Sequence, residues 1–211
     1  SLLIYLNDGQ GNFTPGAAYA QSYSATDIEV TNRSGDFNGD GILDLCVSTP
    51  SVGGLASELI IYTGDGVGGF TAEIARTIIG QVIGNTVGDF NGDTNLDVAY
   101  INTTRREVGL LLGDGHGRFE SELRYPITDL PPSRIDCLDI DRDGDLDVIV
   151  GSSQVTVGGS LYVLENALNP DGVRSVNLTI SGSDNVALSL CAPDGAMLNC
   201  VKNTLPGSEY Y

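Results

Sequence analysis

Apolar residues recur at every second position in short runs along this chain. Leu43, Leu45 and Val47 form one such run, Leu96, Val98 and Tyr100 a second, and Leu146, Val148 and Val150 a third. A period of two puts each set on one face of an extended strand. The opposite faces carry Cys46, Ala99 and Ile149. Both faces are therefore apolar, which predicts sheets covered on both sides. The runs Leu59-Ile-Ile-Tyr, Gly109-Leu-Leu-Leu and Leu161-Tyr-Val-Leu are apolar throughout and end in Asp-Gly or similar polar residues. No stretch holds a 3.6-residue period with caps, so few helices are expected. The 28 glycines among 211 residues suit many tight turns.

Self-comparison places these runs in repeats. Gly35-Asp-Phe-Asn-Gly-Asp-Gly-Ile-Leu-Asp-Leu aligns with Gly88-Asp-Phe-Asn-Gly-Asp-Thr-Asn-Leu-Asp-Val and with Leu138-Asp-Ile-Asp-Arg-Asp-Gly-Asp-Leu-Asp-Val. Asp36, Asp89 and Asp139 head the acidic segments, 53 and 50 residues apart. A second motif alternates with the first: Asn7-Asp-Gly-Gln-Gly-Asn-Phe, Gly64-Asp-Gly-Val-Gly-Gly-Phe and Gly113-Asp-Gly-His-Gly-Arg-Phe. Leu161-Tyr-Val-Leu-Glu-Asn is a degenerate further copy. A period near 50 residues points to a solenoid or propeller, with about four short strands per repeat. The expected fold is all-β, with propeller-type blades of about four antiparallel strands: three full or partial repeats plus a half blade.

The acidic segments have the chemistry of a cation loop. Counting from the first aspartate, positions 1, 3, 5, 7 and 9 are Asp36, Asn38, Asp40, Ile42 and Asp44 in loop 36–44. In loop 89–97 they are Asp89, Asn91, Asp93, Asn95 and Asp97, and in loop 139–147 Asp139, Asp141, Asp143, Asp145 and Asp147. Alternating oxygen side chains let a tightly turned backbone wrap its ligands around one ion, with position 7 offering its backbone carbonyl. All-oxygen ligation suits Ca²⁺, so about three ions are expected. Gly41 and Gly144 permit the sharp turn at position 6, and Thr94 in their place predicts a looser second loop. An EF-hand is excluded, because position 12 holds Val47, Tyr100 and Val150 where that loop needs Glu.

These repeats resemble the FG-GAP/VCBS repeats of integrin-α-type β-propellers, on the strength of the three acidic loops and the Gly-Asp-Gly-x-Gly-x-Phe turns. The resemblance covers about residues 1–165. It implies a Ca²⁺-stiffened propeller used outside the cell for adhesion or ligand binding, and it carries the metal-ligand role onto the loop residues named above. The Phe-Gly and Gly-Ala-Pro elements that name the family are largely missing. No partner-binding motif transfers.

Repeat organisation divides the chain into propeller-like repeats at 1–168 and a C-terminal β segment at 169–211, opened by the turn Asn169-Pro-Asp-Gly. Three and a half repeats make a poor closed ring. Either the chain is part of a longer protein or associates with other chains, or Val186-Ala-Leu-Ser-Leu and Met197-Leu-Asn-Cys-Val supply closing strands for the first half blade. The start at Ser1, with no Met and no signal sequence, fits a processed mature chain or a piece of a longer one.

Composition narrows the function. With 28 acidic and 10 basic residues the net charge is −18, which argues against nucleic acid. No apolar run approaches the roughly 20 residues of a membrane span. Four sequons, at Asn12, Asn32, Asn102 and Asn177, together with four cysteines suggest a secreted glycoprotein. A disulfide is expected between Cys191 and Cys200 across a turn, with Cys46 and Cys137 as buried thiols in strands. The single histidine, His116, falls in a turn and builds no triad. Arg105-Arg106 reads as a solvated turn. The expectation is a non-catalytic, extracellular or cell-surface, calcium-stabilised module that binds a protein or glycan ligand. A structural glycoprotein subunit associating with copies of itself in a filament, coat or sheath is the alternative, and a lectin-like or polysaccharide-acting propeller the second.

Overall fold

The computed structural model describes residues 2–19, 27–29, 35–50, 55–127, 132–154, 158–166 and 174–178. Within them the structure is all-β. Strands β1 (Leu2–Asn7) and β2 (Phe13–Tyr19) form a hairpin. Next, β3 (Asp27–Glu29), β4 (Leu45–Pro50), β5 (Ala56–Gly64) and β6 (Phe70–Ile79) form the first four-stranded sheet, in chain order. The second sheet holds β7 (Val82–Gly88), β8 (Asp97–Asn102), β9 (Glu107–Gly113) and β10 (Phe119–Pro126). The third holds β11 (Pro132–Leu138), β12 (Asp147–Gln154), β13 (Gly158–Glu165) and β14 (Arg174–Leu178). All pairings are antiparallel.

The two-sided apolar pattern is what stacks these sheets. Val98 and Tyr100 of β8 face the first sheet and pack with Cys46, Leu59 and Ile61. Ala99 and Ile101, one residue out of phase, face the third sheet and pack with Val148, Val150 and Tyr162. Likewise Leu45 and Val47 turn toward the hairpin and meet Leu2 and Ile60. Each buried Leu, Ile or Val adds roughly 1.5–3 kcal/mol, so the contacts between sheets supply most of the stability. Sheet-to-sheet contact runs through the first strands, β3 with β7 and β7 with β11. The sheets therefore splay like propeller blades.

One expectation changes. Leu43, aligned in sequence with Leu96 and Leu146, is 50% exposed, whereas Leu96 is buried. Leu146 shows what it lacks: its Cδ1 sits 2.4 Å from where a Cβ on Gly88 would stand, on the first strand of the preceding sheet. Among the described residues the hairpin preceding Leu43 has two strands, β1 and β2, and neither stands beneath Leu43 as β7 stands beneath Leu146. From within the expected C-terminal β segment, β14 pairs with β13 and forms the fourth strand of the third sheet. The turn signal Asn169-Pro-Asp-Gly stands just before that strand. Residues 179–211, with Cys191 and Cys200, lie outside the described residues, as does Asn32.

Candidate metal centres

Each acidic loop joins the first strand of its sheet to the second: 36–44 leads from β3 to β4, 89–97 from β7 to β8, and 139–147 from β11 to β12. The glycine turns at Asp65 and Asp114 join third strands to fourth, and the turn at Asp8 joins β1 to β2. Antiparallel order puts loop and turn at the same end of a sheet.

Inside the first loop, Asp36 collects backbone donors. Its Oδ1 accepts from Gly39 N (2.7 Å) and Asp40 N (3.0 Å), and its Oδ2 from Gly41 N (2.6 Å). Slight burial pushes its pKa up, but these N–H groups outweigh that and hold it below the usual carboxylate value. Asn38 Nδ2 donates to Asp40 Oδ2 at 2.9 Å. The second loop repeats the arrangement: Asp89 accepts from Gly92, Asp93 and Thr94, and Asn91 Nδ2 donates to Asp93 Oδ2 at 2.8 Å. Thr94 does not loosen it. It takes φ 72°, close to the 83° of Gly41, at a cost of roughly 1–2 kcal/mol for a residue with a side chain. Position 4 is left-handed too, through Gly39, Gly92 and Arg142 (φ 66°), a demand that glycine signals in the first two loops and that Arg142 hides in the third.

Position 9 ties each loop into the sheet. Asp44, Asp97 and Asp147 are all buried. Their Oδ2 atoms accept from Phe37 N (2.9 Å), Phe90 N (2.8 Å) and Ile140 N (2.8 Å), which closes the loop. Their Oδ1 atoms accept from Gly64 N (2.9 Å), Gly113 N (2.8 Å) and Asn166 N (2.8 Å), just past the third strands. Burial raises the pKa of all three, against the pull of those N–H groups, and Asp97 reaches about 6.

The third loop is the most charged. Asp141 replaces the asparagine, so no side-chain amide donates from position 3 to position 5, and only the backbone Asp143 N, donating to Asp141 Oδ1 at 3.1 Å, links the two. Carboxylate oxygens of Asp139, Asp141 and Asp147 lie within 4.8 Å of one another, and so do those of Asp141, Asp143 and Asp145. Two oxygens each about 2.4 Å from a shared ion stand at most about 4.8 Å apart, so the spacing fits one hard cation of Ca²⁺ size. Asp139, Asp141, Asp143, Asp145 and Asp147 would hold it. The first two loops present the same oxygen pattern with asparagine at position 3.

The remaining sequence candidates separate. Asn12 is exposed in the hairpin turn, where its Nδ2 donates to Asp8 Oδ2 (2.7 Å). Asn102 is fully buried, its Nδ2 donating to Ile79 O at 2.9 Å. Asn177 lies in β14. Cys46 is buried and Cys137 half-buried, accepting from Asn85 Nδ2 (3.1 Å) and Thr86 Oγ1 (3.3 Å). His116 is exposed in its turn, as are Arg105 and Arg106. Sequence reasoning missed Asn166, whose signal lay only in the degenerate repeat ending there. It also missed Glu122, which gathers Tyr100, Arg76 and Arg124 from three strands. No helix among the described residues is long and apolar enough to cross a membrane.

Comparison with known proteins yields one match. The FG-GAP-like repeat family matches residues 36–100 and again 89–150, together more than half of the chain. Each match spans two successive acidic loops or their following strands. No curated protein and no solved structure matches.

Proposed function

The chain belongs to the FG-GAP-like repeat family, and from that premise we propose that it is a calcium-stabilised, propeller-type binding module. It works outside the cell or at its surface, holding a protein or glycan ligand without catalysing a reaction. The observation that carries the calcium reading is the third loop, where two triads of aspartates sharing Asp141 each bring three carboxylate oxygens within 4.8 Å of one another. So many carboxylates repel one another unless a cation lies between them. The role of the metal is rigidity. An ion bound only by the folded state adds about 2.7 kcal/mol at a hundredfold excess over its Kd. Calorimetric titration with Ca²⁺, paired with thermal melts in calcium and in EDTA, tests this. Uptake of ions with a higher melting temperature supports it, and no uptake with an unchanged melt refutes it.

A second reading, an assembly subunit, has its own support. Leu3 and Tyr5, two residues apart on one face of β1, are each 57% exposed, apolar side chains that suit contact with another protein surface. Light scattering separates the two, since a monomer at micromolar concentration speaks against assembly.

A further inference from the structure

We infer that Asn166 is a positioning residue that couples the second and third calcium loops, so that filling one tightens the other. The inference rests on the calcium reading above. Asn166 sits directly after β13 and is buried. Its backbone N–H donates to Asp147 Oδ1 at 2.8 Å, and its side-chain Nδ2 donates to Phe90 O at 2.7 Å. Phe90 is position 2 of the second loop, between Asp89 and Asn91, and its own N–H donates to Asp97 Oδ2 at 2.8 Å. Asp147 closes the third loop through Ile140 N at 2.8 Å. One buried hydrogen-bond chain thus runs from Asp97 through Phe90 and Asn166 to Asp147.

The sister sheets show that this link is specific to Asn166. Gly64 and Gly113 occupy its place and make only the backbone bond, to Asp44 and Asp97. There is no room for more, since a Cβ on Gly113 would stand 2.1 Å from Leu96 O and one on Gly64 2.4 Å from Leu43 O. Between the first and second sheets the position-2 carbonyl, Phe37 O, is instead met by Gly117 N at 2.7 Å, from the tip of the glycine turn. That path runs back through the partly exposed turn 114–117 before it reaches Gly113 and Asp97. The path through Asn166 is a single buried residue.

The coupling follows from satisfaction of buried polar groups. An ion in the third loop fixes Asp147 against its neighbours' repulsion, and Asp147 fixes Asn166. Asn166 then satisfies Phe90 O, which holds the second loop in its ligating shape. If the third loop opens, Phe90 O is left buried without its donor, a state that disfavours the closed second loop. Coupling between binding sites is reciprocal, so the second loop acts on the third by the same factor.

Ca²⁺ titration of the full chain by calorimetry tests this, using Asp143→Ala to disable the third loop. In the wild-type background Asp143→Ala is expected to remove one ion and weaken a second by about fivefold or more. In an Asn166→Ala background the same substitution removes one ion and leaves the others' affinities unchanged. Asn166→Gly, which copies Gly64 and Gly113 and keeps the bond to Asp147, repeats the test should the alanine variant not fold. Equal affinities of the remaining ions before and after Asp143→Ala overturn the inference, as does the same weakening with and without the Asn166 side chain. If no ion binds to the wild type, it is the calcium reading that fails.

Discussion

Tyr100 lies flat across Gly109, its cross-strand partner, so that a Cβ on the glycine would stand 2.0 Å from Tyr100 Cζ. The tyrosine crosses β9 at the one place without a side chain and donates its hydroxyl to Glu122 of β10. Gly109→Ala displaces the ring and breaks that bond. We expect a loss of about 2–3 kcal/mol in urea unfolding, more than the roughly 1–2 kcal/mol from Tyr100→Phe, which removes only the hydrogen bond. A neutral Gly109→Ala would falsify the close approach.

Glu122 sets an acid dependence. Burial pushes its pKa up, but hydrogen bonds from Arg124, Tyr100 and Arg76 outweigh this and hold it at about 2. Its folded value is thus below its unfolded one, so the stability it contributes is present above about pH 4.5 and is lost as pH falls toward 2. Allowing for the partly exposed arginines, this amounts to about 2 kcal/mol at neutral pH. Comparing urea midpoints of the wild type and Glu122→Gln from pH 6 down to pH 2.5, the gap between them should shrink across that window. A constant gap counts against the ion-pair account. Arg76 reaches Glu122 from the neighbouring sheet at 3.2 Å, so Arg76→Ala should reproduce part of the effect.

The loop aspartates divide into two roles that metal removal can separate. Asp97 has both oxygens engaged by buried backbone N–H groups, while Asp93 is exposed. Asp97→Asn turns one acceptor into a donor facing an N–H, and should cost about 1–3 kcal/mol even in EDTA. Asp93→Asn should leave the EDTA melt within about 0.5 kcal/mol and show its effect only when Ca²⁺ is present. Asp40→Ala, Asp93→Ala and Asp143→Ala should each remove one ion from a calorimetric titration. If Asp97→Asn melts like the wild type in EDTA, position 9 is no structural tie.

Glycosylation offers a test of burial at Asn102. Secretion from a eukaryotic cell followed by peptide mass mapping should find Asn102 unmodified and Asn12 carrying glycan. The Asn102 side chain is spent on Ile79 O and Arg105 N, so Asn102→Ala should destabilise by about 1–3 kcal/mol. A glycan on Asn102 of the folded protein is the outcome that contradicts this.

The repeat, the all-β class, the two-sided sheets and the three loops were legible in the chain because each is a local, periodic demand. Alternation at Val98, Ala99, Tyr100 and Ile101 needs no partner to be read, and neither do aspartates at every second position. Four matters were decided only by tertiary structure. Leu43 is exposed where its sequence counterpart Leu96 is buried. Thr94 is held left-handed by its loop. Asn102 turns inward although its sequon resembles that of exposed Asn12, and Asn166 joins two loops 76 residues from Phe90 in sequence. Burial and hydrogen-bond partners depend on what the fold brings close, and distances of that kind leave no periodic trace in one sequence.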